Sequence, residues 1–266
     1  MTMKIREAAA QGTFYPEDRE ELKSLIRRYV ENAPLEELPG LKAIISPHAG
    51  YAYSGPVAGM SFKQLMNIDY LKLIKVIILA PSHFALFRGA SVGLFDAYKT
   101  PLGFVNVSKE AQKLLSFEDF HFILEAHLEE HSIEVQLPFL QYILPHFEIV
   151  PILYSEIEPQ SLLKGVESIL DKRSILVVST DLSHYYPYEV ARNIDANCIK
   201  SVEKLDTKLL KKCEACGKIG IETIIEFANA YGLKSKVLAY ATSGDTAGPK
   251  SQVVGYLSAV FYGGNS

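Results

Sequence analysis

The sequence predicts a single α/β domain over residues 1–266, with a central mixed or largely parallel sheet flanked by helices on both faces. Three observations predict it. Short β-branched runs alternate with stretches of helical periodicity, the pattern of strands joined by helices. The runs are apolar at successive positions, as suits strands covered on both faces. No segment rich in Pro, Gly or Ser divides the chain, and 48% hydrophobic residues suffice for one sizeable core, since a chain of this length buries roughly three-quarters of its unfolded surface.

The elements follow in order. Residues 18–33 repeat apolar positions at Leu22, Leu25, Ile26, Tyr29 and Val30, one helix face. Ala43 to Ile45 reads as a strand. A helix is expected over Pro56 to Ile68, with the proline in the first turn, where its missing N–H is harmless. Val76 to Ala80 is the next strand. Residues 131–144 and 159–171 read as helices, then Ile175 to Val178 as a strand. Helices over 187–206 and 219–231 follow, the second ended by Gly232 in a left-handed cap. Val237 to Tyr240 and Val253 to Tyr262 are the final strands.

Lys and Arg number 27 against 31 Asp and Glu, a net charge of −4. That balance offers no basic footprint for nucleic acid. The N-terminus lacks the apolar run of a signal peptide, and no later stretch approaches a membrane span; a cytoplasmic protein is expected. Its cysteines, Cys198, Cys213 and Cys216, are then expected to be reduced. Neither a Walker-type phosphate loop nor a G-x-G-x-x-G fingerprint occurs.

Four strands stop in small polar clusters: Ser46-Pro47-His48, Pro81-Ser82-His83, Ser179-Thr180-Asp181-Leu182-Ser183-His184 and Thr242-Ser243-Gly244-Asp245. Open α/β sheets bind ligands beyond the carboxyl ends of their strands. Neutral imidazole is the commonest transition-metal ligand, and two with one carboxylate form a facial triad. His48 and His83 are therefore candidate metal ligands, although either could instead bond a backbone carbonyl. Asp181 and His184, three residues apart, could face one pocket, His184 as acid/base and Asp181 orienting it; alternatively Asp181 caps a helix.

Residues His127-Leu128-Glu129-Glu130-His131 fit H-x-x-E-H, the inverted zinc metallopeptidase pattern. His131 and Glu134 would share a helix face and reach the same pocket. Cys213 and Cys216 form one C-x-x-C before a helix; no second pair completes a zinc site. A helix N-terminus could activate Cys216, or both thiols could simply pack.

The segment Ser46-Pro47-His48-Ala49-Gly50-Tyr51-Ala52-Tyr53-Ser54-Gly55 resembles the signature of the Memo family, also known as component B of the AmmeMemoRadiSam system. Residues 81–83, 96–103, 130–134 and 179–184, with Arg6-Glu7-Ala8 and Gly12-Thr13-Phe14-Tyr15-Pro16, match in the same order, so the resemblance spans nearly the whole chain. It implies the fold of class III extradiol dioxygenases, which use Fe(II) held by two His and a carboxylate. By that resemblance His48 and His83 are ligands and His184 is the acid/base histidine. Eukaryotic Memo proteins carry a cysteine as third ligand; an ungapped register sets Thr246 opposite it and Asp245 one residue earlier. Asp245 is taken as the ligand, because threonine binds metal poorly.

The expected cofactor is a divalent metal ion, Fe2+ first, with Zn2+ or Cu as alternatives. The leading function is a non-haem metal-dependent oxidoreductase of dioxygenase type on a small substrate, with His184 moving protons, Asp181 orienting it and His131 and Glu134 shaping the pocket. The competing reading is a non-catalytic module that binds a peptide or partner in the strand-end pocket, with a zinc peptidase third. The resemblance also implies a functional link to AMMECR-type and radical SAM proteins.

Overall fold

Four parallel strands form the centre of the sheet: β2 (Ala43–Ser46), β9 (Ser174–Ser179), β3 (Ile74–Pro81) and β8 (Phe147–Tyr154), adjacent in that order. The structure is a computed structural model and describes residues 3–69 and 71–263. On one side β12 (Val253–Gly263) runs antiparallel to β2 and carries β10 (Asp181–Tyr186) and β11 (Leu233–Thr242). On the other, β4 (Ala90–Val92) pairs antiparallel with β8, and β7 (Phe120–His121) pairs with β4. A small separate sheet joins β1 (Ile5–Arg6), β5 (Ala97–Thr100) and β6 (Gly103–Asn106).

Strand alternation divides the core in two. Ile44, Val76 and Ile78 face α1 (Arg19–Asn32), α2 (Tyr51–Lys63) and α4 (Leu137–Ile143). Ala43, Ile45, Ile77 and Leu79 face α5 (Pro159–Ile169), α6 (Tyr188–Lys204) and α7 (Lys218–Tyr231). Side chains on a strand point alternately to opposite faces, so two layers of helices need strands apolar throughout. Each fully buried Ile or Leu contributes about 1.5–3 kcal/mol relative to exposure. Two short helices, α3 (Leu124–Leu128) and α8 (Ser243–Thr246), complete the described elements.

Helices α1, α5, α6 and α7 start and stop within two residues of the sequence reading. Asp18 caps α1 by accepting from the backbone N–H groups of Glu20 and Glu21. Gly232 ends α7 with φ 64°, a conformation that costs a residue without Cβ nothing. Two expected helices differ. α2 begins at Tyr51, five residues early, and contains Pro56. The expected helix over 131–144 is a 3-10 turn at Glu134–Gln136 leading into α4, with Pro138 in its first turn. A proline there starts a helix and does not continue one.

The central strand β8 is absent from the sequence reading, because Pro151 lies inside it. The Pro151 carbonyl accepts from the Gly93 N–H at 2.9 Å. Its missing N–H therefore faces the same edge, just past Val92, the last residue of β4. The one bond it forgoes is the return bond to Gly93, just beyond the last pair of the β4–β8 ladder, so the proline ends a ladder and does not interrupt one. The cysteine expectation is corrected as well: Cys198 on α6 and Cys213 form a disulfide, and Cys216 is the free thiol.

Candidate metal centre

Because β2, β3 and β9 are parallel, their carboxyl ends meet at one pole of the sheet. His48 and His83 each follow their strand by two residues, and Asp181 follows β9 by two. The ring centroids of His48 and His83 lie 5.1 Å apart, and His131 is 5.4 Å from the first and 4.8 Å from the second.

Hydrogen bonding fixes the direction of each imidazole. The Ser179 hydroxyl donates to the Ser132 carbonyl at 2.6 Å and accepts from Gln136 Nε2 at 2.8 Å. Its donor is thus committed, so His48 Nδ1, 2.9 Å away, must carry the proton and donate to it. That leaves the lone pair on His48 Nε2. Glu130 acts similarly on His83: Oε1 accepts from Nδ1 at 2.9 Å and Oε2 from the His83 backbone N–H at 2.6 Å. His83 Nε2 is then the free lone pair.

The third donor is Cys216, whose Sγ lies 3.2 Å from His48 Nε2. Donor atoms of His48, His83 and Cys216 all fall within 4.8 Å of one another. Cys216 reaches the pole because the turn before α7 presses against the end of β9. The Gly217 N–H donates to Thr180 Oγ1 at 3.0 Å, and a Cβ on Gly217 would sit 2.5 Å from Thr180 Cβ. The Asp181 N–H donates to the sulfur at 3.3 Å.

Asp245 was expected in that position, and the structure places it elsewhere. It follows β11, which runs parallel to β2 but lies beyond β12. Two strand spacings put it roughly 10 Å aside. One carboxylate oxygen caps α8 by accepting from the Thr242 N–H and hydroxyl, and the other accepts from the Tyr188 hydroxyl at 2.7 Å.

The remaining candidates separate. Asp181 Oδ1 accepts from the His48 N–H at 2.8 Å, and burial raises its pKa to about 7. His184 lies within electrostatic range of His48 and His83, and burial lowers its pKa. His131 is stacked between His83 and Phe14, 4.3 Å away; burial brings it to about 4, so its ring is neutral at physiological pH. Its Nδ1 is buried without a hydrogen-bond partner.

Glu134 does not face this group. Its carboxylate accepts from the Ala9 and Ala10 N–H groups, the Tyr15 hydroxyl and the buried Arg6 guanidinium. That clamp pins residues 6–15 beneath the loop that carries Glu130 and His131. The H-x-x-E-H residues do not converge: His127 bonds Ser91 and Tyr98 at 3.0 and 3.1 Å, because α3 ends at Leu128, before His131.

Electrostatics suit a cation. Burial drives the His48 pKa well below the ordinary imidazole value, with the other histidines adding to the effect. Burial opposes ionisation of Glu130, yet its bonds from His83 and Ser132 outweigh that and hold it at about 2. Burial and the neighbouring Asp181 push the Cys216 thiol up to about 12. A bound ion would displace that proton, as coordination requires thiolate. Ser179, Gln136, Glu130 and Cys216 escaped the sequence reading as site residues. Cys216 stood out only by its place at a helix start; Ser179 and Glu130 lay within singled-out segments without a role of their own, and Gln136 gave no local signal.

Nothing among the described helices is long and apolar enough to cross a membrane. The family model for Memo-like proteins matches residues 6–260. The chain is 38% identical to a MEMO1 family protein of Aquifex aeolicus, covering 97% of this chain and all of that one. It is 37% identical to one from Saccharolobus solfataricus, over 95% and 98% of the two chains. A counterpart in Methanocaldococcus jannaschii is 35% identical over 97% and 99%.

Proposed function

The chain belongs to the Memo family, and on that premise we propose that it holds one transition-metal ion through His48, His83 and Cys216 and is a metal-dependent oxidoreductase acting on a small oxygen-bearing substrate. One observation carries this reading. Both imidazoles have their Nδ1 protons committed, to Ser179 and Glu130, so that two Nε2 lone pairs and a sulfur are left facing one point. Orienting partners of this kind are the usual companions of metal-ligating histidine.

Sulfur in place of the expected carboxylate disfavours Mg2+ and Ca2+ and suits iron, zinc or copper. The ion would supply Lewis acidity and, as iron or copper, a redox centre. The protein's own groups do the rest. Glu130 and Ser179 hold the ligand rings. His184, neutral and backed by Glu214 against its backbone N–H at 3.4 Å, takes or returns a proton at the substrate oxygen. Asp181 fixes the His48 loop, and neutral His131 walls the site.

A binding reading also has an observation behind it. Phe84 is 62% and Tyr185 70% exposed, each directly after a site histidine, and exposed aromatics of this sort anchor peptides and partners.

Metal content of the purified chain, with anaerobic titration of Fe(II), Zn(II) and Cu(I), tests the ligand set. One ion per chain is expected, lost in His48→Ala, His83→Ala and Cys216→Ser and kept in Asp245→Asn. Full retention in the Cys216 variant, or loss in the Asp245 variant, refutes it. Turnover of a catechol or aminophenol with Fe(II) in air favours the enzyme. Metal binding without turnover favours the binding module.

A further inference from the structure

His184 sits in an irregular stretch of the sheet. Relative to β12, strand β10 carries one extra residue on each side of it, between Asp181 and His184 and again between His184 and Tyr186. Tyr185, in the second bulge, has φ 64°, a conformation that costs a residue with a Cβ. Its ring is 70% exposed, so no burial offsets that cost. A ladder interrupted twice does not by itself hold a side chain in one direction, and a strained backbone persists only where its surroundings fix it.

The fixing group is Asp195, fully buried in the middle of α6. Its Oδ1 accepts from the Ser183 backbone N–H at 3.0 Å, and Oδ2 accepts from the Tyr240 hydroxyl at 2.7 Å. Strand β12 leaves room for the carboxylate at Gly255, where a Cβ would collide with Oδ2. Among the described residues no cation pairs with Asp195, so these two bonds define what it does. The Ser183 N–H belongs to the same planar peptide as the Leu182 carbonyl, and the two point in opposite directions. With the N–H drawn to Asp195, the carbonyl turns away from α6 and toward the His184 ring, which faces it.

We infer that Asp195 is a positioning residue for His184: through the Leu182–Ser183 peptide it seats the imidazole at the pole where the metal ligands converge. The inference rests on the reading of His184 as the group that moves a proton, but its test does not need the metal.

That test is the titration of the His184 ring in the metal-free chain, followed by histidine-selective NMR, with His184→Gln to identify its resonance. The ring is faced by Glu214, His83 and Asp195, with His48 in electrostatic range. Burial is the largest influence and holds its pKa below the ordinary imidazole value. Asp195→Ala frees the peptide and should let the ring swing into water, so the pKa rises toward about 6.5. Asp195→Asn keeps both contacts, since an amide can accept from Ser183 and donate to the Tyr240 oxygen. It removes only the charge, and the pKa should not rise. Gly255→Ala pushes the carboxylate aside without deleting it; it should act as Asp195→Ala does, and it takes that variant's place if the latter fails to fold. Charge alone cannot give this pattern, because losing a negative neighbour lowers an imidazole pKa in both Asp195 variants. A fall in both, an equal rise in both, or no movement in Asp195→Ala and Gly255→Ala overturns the proposal. The expected pattern in a chain that binds no ion would leave it standing and sink the metal reading alone.

Discussion

Replacing both members of the Cys198–Cys213 disulfide with serine separates the mechanical support of the Cys216 turn from its chemistry. The bond closes a loop with a sequence separation of 15. In the chain-entropy account, such a loop stabilises the folded state by about 3 kcal/mol. For a chain of this size each kcal/mol moves the melting temperature by roughly 2–4 °C, so a fall of about 6–12 °C is expected in calorimetry. The variant should still be folded at 25 °C, because domain stabilities run to about 5–15 kcal/mol. At that temperature metal affinity can be measured directly. Cys213 stands three residues before Cys216, and the turn keeps two other anchors, the bonds of Gly217 and Asp181 to the end of β9. Affinity should therefore fall by about tenfold at most, well short of the loss in Cys216→Ser, on the scale of removing one orienting contact. A melting temperature within about 2 °C of the parent would refute the stabilising role. Metal loss as complete as in Cys216→Ser would refute the independence of the two anchors.

Three further outcomes are expected. Glu130→Gln removes the carboxylate that orients His83 and should weaken metal binding by about 10–100-fold with little change in far-UV dichroism; equal affinity would show that His83 needs no such partner. Glu134→Ala strands the buried Arg6 guanidinium and should cost about 3–5 kcal/mol in urea denaturation, whereas Arg6→Met with Glu134→Leu should recover much of it; a loss below about 1 kcal/mol contradicts the clamp. His127 is held at about 3 by burial, against an ordinary 6.5. Between those values the unfolded chain binds a proton that the folded chain refuses. Stability therefore falls as pH drops from about 6.5 to 3, by up to about 4 kcal/mol from this residue alone. His127→Gln should flatten that slope, and an identical pH profile in the variant speaks against the assignment.

Much of the fold was legible because its signals are local. Doubly buried strands announce themselves as apolar runs, and α7 advertises its end with Gly232. Strand β8 was not legible, since Pro151 is harmless only by virtue of where β4 stops, a fact of pairing and not of sequence. The site divides in the same way. His48 and His83 were readable because each follows its own strand at a pole shared by parallel strands. Asp245 carried the same local pattern but belongs to a strand two places out. Cys216 sits before a helix, and only the contact of Gly217 with Thr180 brings its sulfur to the histidines. The cysteine spacing also misled: the two residues of the C-x-x-C part company, one to a crosslink with α6 and one to the pole.

The position of β12 between β2 and β11 has a consequence for biosynthesis. It is the last of the described strands to leave the ribosome, yet it fills the gap beside the first central strand. Until it arrives, β2, β10 and β11 each present an open row of amide and carbonyl groups, a template for pairing with another chain. Nascent protein must therefore wait with three adhesive edges bare, and stop codons upstream of residue 253 should yield aggregates in place of a smaller soluble fold.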